Sequence, residues 1–496
     1  MDTIIQSFDI LISTPAILAA VIGCAWGIFG GALPGISPSI TMALLLPFTY
    51  SLAPIDAIVL LASTYVGAEY GGSIPAILIR TPGTNAAAAT VIDGYEMNRQ
   101  GKAGLALGIS LTSGVVGSLF GLIMLVLLSE PLSDVALAFR PPSYFALGVL
   151  GLSVIATLAG KSLVKGFIAG TIGLMVATVG TDPVSGGNRF TFGAPELLVG
   201  IEPIFVMVGL FAVSELFVQV AEVGKQIYVK SVARLELPSL KLQRRLALPQ
   251  AIGLGIGTFE GVMPGAGGTV ASFMAYNEAR RWSRHKEEYG KGSPEGIAAP
   301  EAANNVVACT ALVPLLSFGI PGSNSAAILF GGFLIHGMSP GPMLFERSAD
   351  VVYGLYGGLF VASIAMLFLG MAMLPACIWL VNRPKHYLSA FIYALIFSGV
   401  YSIHHSLFDL ALVLGFGVVG FFMRLLKFPF LPTVLGVVLG YLVESNYRRS
   451  LVLSGGDHAI FVQDPISLGL LAVAVLFVGG TLGKRAYDLI KARTAA

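Results

Sequence analysis

GIFGGALPG, residues Gly27–Gly35, returns later in the chain as GTFEGVMPG, residues Gly257–Gly265. Gly, Phe, Gly, Pro and Gly hold the same relative places, and Leu33 is answered by Met263, at a shift of 230 residues from Gly27 to Gly257. A second string, TPGTNAAAA (Thr81–Ala89), returns as IPGSNSAAI (Ile320–Ile328), shifted by 239. The nine extra residues fit one polar insertion, ARRWSRHKEEYGKG (Ala279–Gly292), which has no counterpart near residues 50–55. One Pro-Gly match carries no weight in a chain with 61 glycines and 27 prolines. Two in the same order, with the length difference housed in one loop, mark an internal duplication. The halves are read as 1–224 and 246–496, joined by a basic linker at 225–245.

Composition says where such a chain lives. Of 496 residues, 55% are hydrophobic and 11% charged, and the mean hydropathy is +0.83. Soluble domains carry about 25% charged residues, so the lipid bilayer must take much of this apolar surface. No Lys or Arg precedes Arg80, and Lys/Arg-free stretches also run over 103–139, 190–224, 246–279, 292–346, 348–382, 386–423 and 450–483. A membrane helix needs about 20 mostly apolar residues. The reading is an all-α polytopic membrane protein with on the order of 10–12 membrane segments, broken or re-entrant helices included. The net charge of +2 gives no sign of nucleic acid. The start, MDTIIQSFDI, lacks the basic n-region of a signal peptide. Cys24, Cys309 and Cys377 lie far apart in apolar runs and read as buried small hydrophobes, neither a metal site nor a disulfide framework.

Flanking charge orients the halves. Pro264-Gly265 sits between one basic loop holding Lys225, Lys230, Arg234, Lys241, Arg244 and Arg245 and another holding Arg280, Arg281, Arg284, Lys286 and Lys291. Short basic loops stay cytoplasmic. The 34 apolar residues between them, 246–279, are short for two passes and long for one. They read as a re-entrant hairpin with its tip at Pro264-Gly265, the competing reading being one long tilted helix. Around Pro34-Gly35 the nearby charges are Asp2, Asp9 and Asp56, so that hairpin is expected to enter from the other side. Opposite flanks mean an inverted repeat. The basic tail (Lys484, Arg485, Lys491, Arg493) puts the C-terminus in the cytoplasm, with the N-terminus expected outside.

Lipid tolerates an interrupted helix only where protein or a wet cavity satisfies the freed backbone groups. Paired Pro/Gly interruptions in corresponding places therefore point to a transporter's binding site. Pro82, Gly83, Thr84 and Asn85 stop one helix and start another, as do Pro321, Gly322, Ser323 and Asn324. The hydroxyl residue or Asn caps the new helix, whose remaining N–H groups and dipole form an anion site. Unwound carbonyls beside these tips could hold a cation such as sodium, and Gly35 and Gly265, at the other pair of breaks, are coupling-ion or pathway candidates. In EAANN, Glu301, Asn304 and Asn305 share one face of an apolar helix, where polar groups mark a pathway or bond neighbouring helices. The matching region of the first half carries Glu69. Asp93, in IDGYE, reads as a turn or cap residue. Glu260, Arg80, and the adjacent His404 and His405 carry weaker signals, the histidines a structural one.

Gly160-Lys161-Ser162 is not a P-loop, because Ile155 stands where the first glycine belongs. No HExxH is present and no GxSxG flanked by strands, so no catalytic or metal site is assigned.

GALPGISPSITMALLLPFTY, YVGAEYGGSIPAILIRTPGTNAAAATVIDGYEMNRQGKAGLALGIS, GVMPGAGGTVASFMAYNEARRWS, APEAANNVVACTALVPLLSFGIPGSNSAAILFGG and GMSPGPMLF together resemble the large membrane subunit of tripartite tricarboxylate transporters. The resemblance implies a secondary transporter in the bacterial cell inner membrane. It would be fed by a periplasmic substrate-binding protein, completed by a small membrane subunit, and driven by an ion gradient, Na+ or H+, to import small organic acids. The competing readings are a membrane-bound enzyme acting on lipid-linked substrates, which needs a catalytic cluster near one interface, and a channel, which needs no binding protein.

Overall fold

The computed structural model describes residues 15–158, 162–182, 186–221, 234–263, 267–382 and 385–494. Asp2, Asp9, Gly160-Lys161, Lys225, Lys230 and the hairpin tip Pro264-Gly265, with candidate Gly265, lie outside the described residues. The described chain is helical apart from one two-residue ladder, Gly180–Thr181 against Asn188–Arg189. Five described helical stretches are long and apolar enough to cross a membrane: Ala103–Leu137, Pro294–Phe318, Ala349–Ala372, Leu407–Leu425 and Pro465–Gly483. Shorter apolar helices accompany them, among them Ala16–Gly31 and Asn324–Ile335. Many large apolar side chains point outward, Leu18, Leu127, Phe368 and Leu476 among them. Water would not accept such a surface, whereas lipid does. The chain is an all-α polytopic membrane protein.

Compactness divides the chain into two units. One holds the residues up to Asp134 together with Met207–Val418; the other holds Val135–Val206 and Val419–Ala496. Both copies of each repeated string belong to the first unit. The helices that matter for the site are α1 (Ala16–Gly31), α2 (Pro38–Leu45), α3 (Pro54–Gly71), α4 (Ser73–Ile79), α5 (Ala88–Arg99), α6 (Ala103–Leu137), α7 (Leu240–Val262), α8 (Gly267–Trp282), α9 (Pro294–Thr310), α10 (Val313–Phe318), α11 (Asn324–Ile335) and α12 (Ala349–Ala372). The stretch 246–279 is thus not one long helix: α7 and α8 pack side by side. α7 begins at Leu240, inside the stretch read as linker, with Ser239 as its cap.

The duplication is visible as repeated packing. α1 lies against α3, and α7 against α9. A Cβ added at Gly23 or Gly27 would stand 2.3 Å from the backbone oxygen of Leu60 or Thr64. One added at Gly253 or Gly257 would stand 2.3 or 2.5 Å from that of Ala299 or Ala303. The glycines are related by the 230-residue shift and the carbonyls by the 239-residue shift. Small residues let backbones approach in a membrane, where van der Waals contact drives association.

The helix breaks repeat as well. Arg80 (φ 59°) and Gly319 (φ 71°), 239 residues apart, both adopt the left-handed conformation that ends α4 and α10. Thr81 N–H donates to Pro75 O (3.4 Å) as Ile320 N–H does to Pro314 O (3.2 Å). Proline then prevents continuation. Arg80 lies over the Tyr95 ring at 5.8 Å, so the chain offsets the strain of a non-glycine residue here with a cation–π contact.

The second unit pairs Pro141–Leu158, Leu163–Ala177, Phe430–Leu453 and Pro465–Thr494. Gly173 leaves no room for a side chain against Thr433 O (2.0 Å). Asp182, Arg189, Glu444 and Arg448 form one ion network, with Arg189 to Glu444 at 2.7 Å and Arg448 to Glu444 at 2.6 Å.

Candidate functional site

The two interrupted segments are built alike from the backbone up. Gly83 N–H donates to Gly72 O (3.0 Å), and Gly322 N–H donates to Ala311 O (3.3 Å), the same bond one repeat later. Neither glycine has room for a side chain: a Cβ on Gly83 would lie 2.0 Å from Gly31 O, and one on Gly322 would lie 2.9 Å from Ala311 O and 3.0 Å from Gly261 O. The Thr84 hydroxyl accepts from Ala87 N–H (3.2 Å), and the Ser323 hydroxyl accepts from Ala326 N–H (3.1 Å). Each hydroxyl thus satisfies one backbone donor of a starting helix. Asn85 and Asn324 occupy the same place in the two copies, and both are exposed although their neighbours on either side are buried. Each tip therefore presents one amide side chain to an accessible space.

Polar groups from the two halves meet around these tips. The Asn304 amide of α9 donates through Nδ2 to Glu69 Oε2 of α3 (2.9 Å). Thr84 also lies in polar reach of Glu69. The Tyr65 hydroxyl of α3 shares a hydrogen bond with the Ser323 hydroxyl (3.1 Å). The Thr90 hydroxyl of α5 donates to Glu301 Oε1 of α9. Glu69 and Glu301 are buried and, among the described residues, pair with no Lys or Arg. Asn304 Oδ1 and Glu301 Oε2 are buried without a hydrogen-bond partner. Donation to a carboxylate fixes which way the Asn304 amide faces, so its oxygen points the other way, to Gly268 at the start of α8. A Cβ on Gly268 would lie 2.5 Å from that oxygen and 3.5 Å from the Ala86 side chain. The second hairpin, the first interrupted segment and α9 thus converge at one point.

The remaining candidates separate. Asn305 donates to Glu301 O in its own helix (3.0 Å) and lies against Ser118 and Gly114 of α6, so it binds helices together. Gly35 takes a positive φ of 87° after α1, near Glu215. Asp93, expected at a turn or cap, sits inside α5 with no exposure and holds a loop some 200 residues away. His404 pairs with Asp409 (2.9 Å). Tyr65 and Thr90 were not singled out from sequence. Tyr65 had a signal, because it stands 239 residues before Asn304; Thr90 had none.

Among the described residues no group of three or more His, Cys, Asp and Glu is placed to hold a metal ion. The three cysteines are free and buried. What the arrangement offers is two helix starts with capped donors, two carboxylates and several neutral donors and acceptors.

The family model for the tripartite tricarboxylate transporter TctA family matches residues 17–435. The chain is 37% identical over 472 residues to an uncharacterized 52.8 kDa protein in the TAR-I ttuC' 3' region of Agrobacterium vitis, covering 95% of this chain and 94% of that one. A second Agrobacterium vitis protein, uncharacterized and in the TAR-II ttuC' 3' region, is 32% identical over 222 residues, covering 45% of this chain and 92% of that one. No solved structure matches. Matching over most of its length, in both copies of the repeat, the chain belongs to the tripartite tricarboxylate transporter TctA family.

Proposed function

We propose that the protein is the membrane-embedded translocating subunit of a binding-protein-dependent secondary transporter that imports small di- or tricarboxylates across the bacterial inner membrane, driven by a Na+ or proton gradient. It works with a small membrane subunit and a periplasmic binding protein, and it performs no catalysis of its own. Its halves are inverted repeats, with the C-terminus in the cytoplasm and the N-terminus in the periplasm.

The observation that carries this reading is the pair of capped tips: Ser323-Asn324 is bonded to Tyr65 of the first half, and Thr84-Asn85 lies beside Glu69, which Asn304 of the second half holds. A helix start offers N–H groups and the positive end of a dipole to an anion. A carboxylate could then be held without a buried Lys, and its release would not require breaking a full ion pair. Glu69 and Glu301 would bind the driving cation or proton, which offsets the charge of the solute in a low-dielectric setting. Tyr65 to Ser323 and Asn304 to Glu69 cross between halves, so motion of one against the other remakes the site, as alternating access requires. The competing reading, a membrane enzyme acting on lipid-linked substrates, would need a catalytic cluster near one interface.

Uptake of radiolabelled citrate or tartrate by cells carrying all three components tests the reading. Asn85→Ala and Asn324→Ala, which remove exposed side chains at the tips, are each expected to lower uptake at least tenfold at unchanged membrane abundance, the equivalent of about 1.4 kcal/mol. Normal uptake in both variants would overturn it. Counterflow in proteoliposomes separates a carrier from a channel.

A further inference from the structure

We propose that Asp93 and residues 283–293 form a polar latch that closes one end of the site and must open in every transport cycle, while the repeat-related position at the other end, Gly332, carries no such latch. The inference rests on the transport reading above and concerns residues that reading does not use.

Asp93 is inaccessible on α5, in the first half. Its Oδ1 accepts the backbone N–H groups of Gly290 (2.8 Å), Gly292 (2.9 Å) and Ser293 (2.8 Å), and its Oδ2 accepts the Tyr276 hydroxyl (2.9 Å). A Cβ on Gly296 would lie 2.2 Å from Oδ2, so glycine there lets α9 approach. Nearby, Gln100 Nε2 donates to Lys291 O (2.7 Å). The loop is stiffened from within. Glu295 accepts from Arg245 Nε (2.7 Å), the Tyr289 hydroxyl (3.3 Å) and the Ser283 hydroxyl, and faces His285 Nδ1 (3.0 Å). Burial, then the neighbouring Glu295, push the Tyr289 phenol above its ordinary pKa, so it remains a donor. One carboxylate of the first half thus holds a loop that ties together α7, α8 and α9 of the second.

The repeat provides the comparison. The position 239 residues after Asp93 is Gly332. Its surroundings are the methyl ends of Leu61 (2.7 Å from an added Cβ), Ile58 (3.5 Å) and Leu46 (3.8 Å). Hydrogen bonds to an ionised group are roughly twice as strong as neutral ones and have a fixed geometry. Such a clasp is either made or broken, whereas methyl groups slide over one another. The nine-residue insertion that separates the two repeat shifts is the segment that supplies the clasp. α5 begins at the first tip, so parting the halves at this end pulls α5 away from the loop.

Gln100 and Lys291 are both exposed and adjacent across the latch. A Gln100→Cys, Lys291→Cys double variant, in the full three-component transporter, is treated in membrane vesicles with a short bis-methanethiosulfonate, which forms a reducible disulfide with each thiol as sulfinate leaves. Uptake is expected to fall at least tenfold on cross-linking and to return on reduction. Cysteines at Glu96 and Arg99, both on α5, serve as the control, and the same treatment there is expected to leave uptake unchanged. Full uptake with the Gln100 and Lys291 cysteines completely cross-linked would overturn the latch. Absence of carboxylate uptake by the unmodified transporter would instead overturn the transport reading, so the two failures are told apart.

Discussion

Asn304→Leu is expected to reduce uptake by at least a hundredfold while the protein still inserts and folds. Asn304 is 2% exposed and donates to Glu69 at 2.9 Å. Leucine keeps the outline branched at Cγ and leaves an apolar side chain between α9 and α3, but Glu69 loses its amide partner. Leaving a buried charged group unsatisfied costs about 1–3 kcal/mol or more, paid here at the place where solute and cation are to be bound. The unpartnered Oδ1 facing Gly268 disappears with it. Asn304→Asp tests the same contact from the other side: two carboxylates would then face each other, and uptake should fall by a similar factor. Glu69→Gln keeps the shape and removes the charge, so it should abolish coupling to the ion gradient more completely than it lowers counterflow. Uptake, counterflow and monodispersity in detergent are the measurements. Normal uptake by Asn304→Leu would remove the α3–α9 contact from the mechanism.

The second large effect is structural. Gly27→Leu and Gly257→Leu are each expected to prevent stable accumulation in the membrane. At both positions the first side-chain carbon would land on a backbone oxygen, 2.3 Å away at Thr64 and 2.5 Å away at Ala303. Backbone cannot yield as a flexible side chain does, so the helices must separate and give up their contact. A loss on the order of 4 kcal/mol is expected, a size that overpacking against rigid backbone is one of the few mechanisms to reach. The internal control is Gly255→Leu, on the same α7, where nothing lies within 4 Å. That variant should accumulate and transport normally. Equal yields for Gly255→Leu and Gly257→Leu, read by immunoblot and thermal melting in detergent, would contradict the packing.

Much of this was legible in the chain because the signals are local. A Pro-Gly pair stops a helix whatever surrounds it, and two such stops recurring in the same order, at shifts of 230 and 239 residues, relate one half to the other. The glycines at 23, 27, 253 and 257 extend that relation into packing, since each works through its own lack of a side chain. The periodicity of Glu301, Asn304 and Asn305 places them on one stripe, but a stripe is wide enough to touch two neighbours. Glu301 and Asn304 reach α5 and α3, while Asn305 turns to α6. Periodicity gives a face and does not name the partner. The same limit explains Asp93: Asp followed by Gly suggests a turn, yet its bonds go to amides 197 to 200 residues later. Long-range pairing of that kind leaves no mark on the residues beside it.

The cross-half bonds bear on ancestry. A half-length forebear that paired with itself would have met one glycine-to-carbonyl contact twice, and a single sequence would have served both places. The present polar contacts do not have that symmetry. Shifted by 239 residues, Tyr65 becomes Asn304, Ser323 answers to Thr84, and Glu69 becomes Ala308. Two copies of the first half would set Tyr65 where Glu69 now finds an amide, and two copies of the second would have no carboxylate to receive it. Each half carries side chains that the other lacks, so neither, set against its own twin, would make the present contacts.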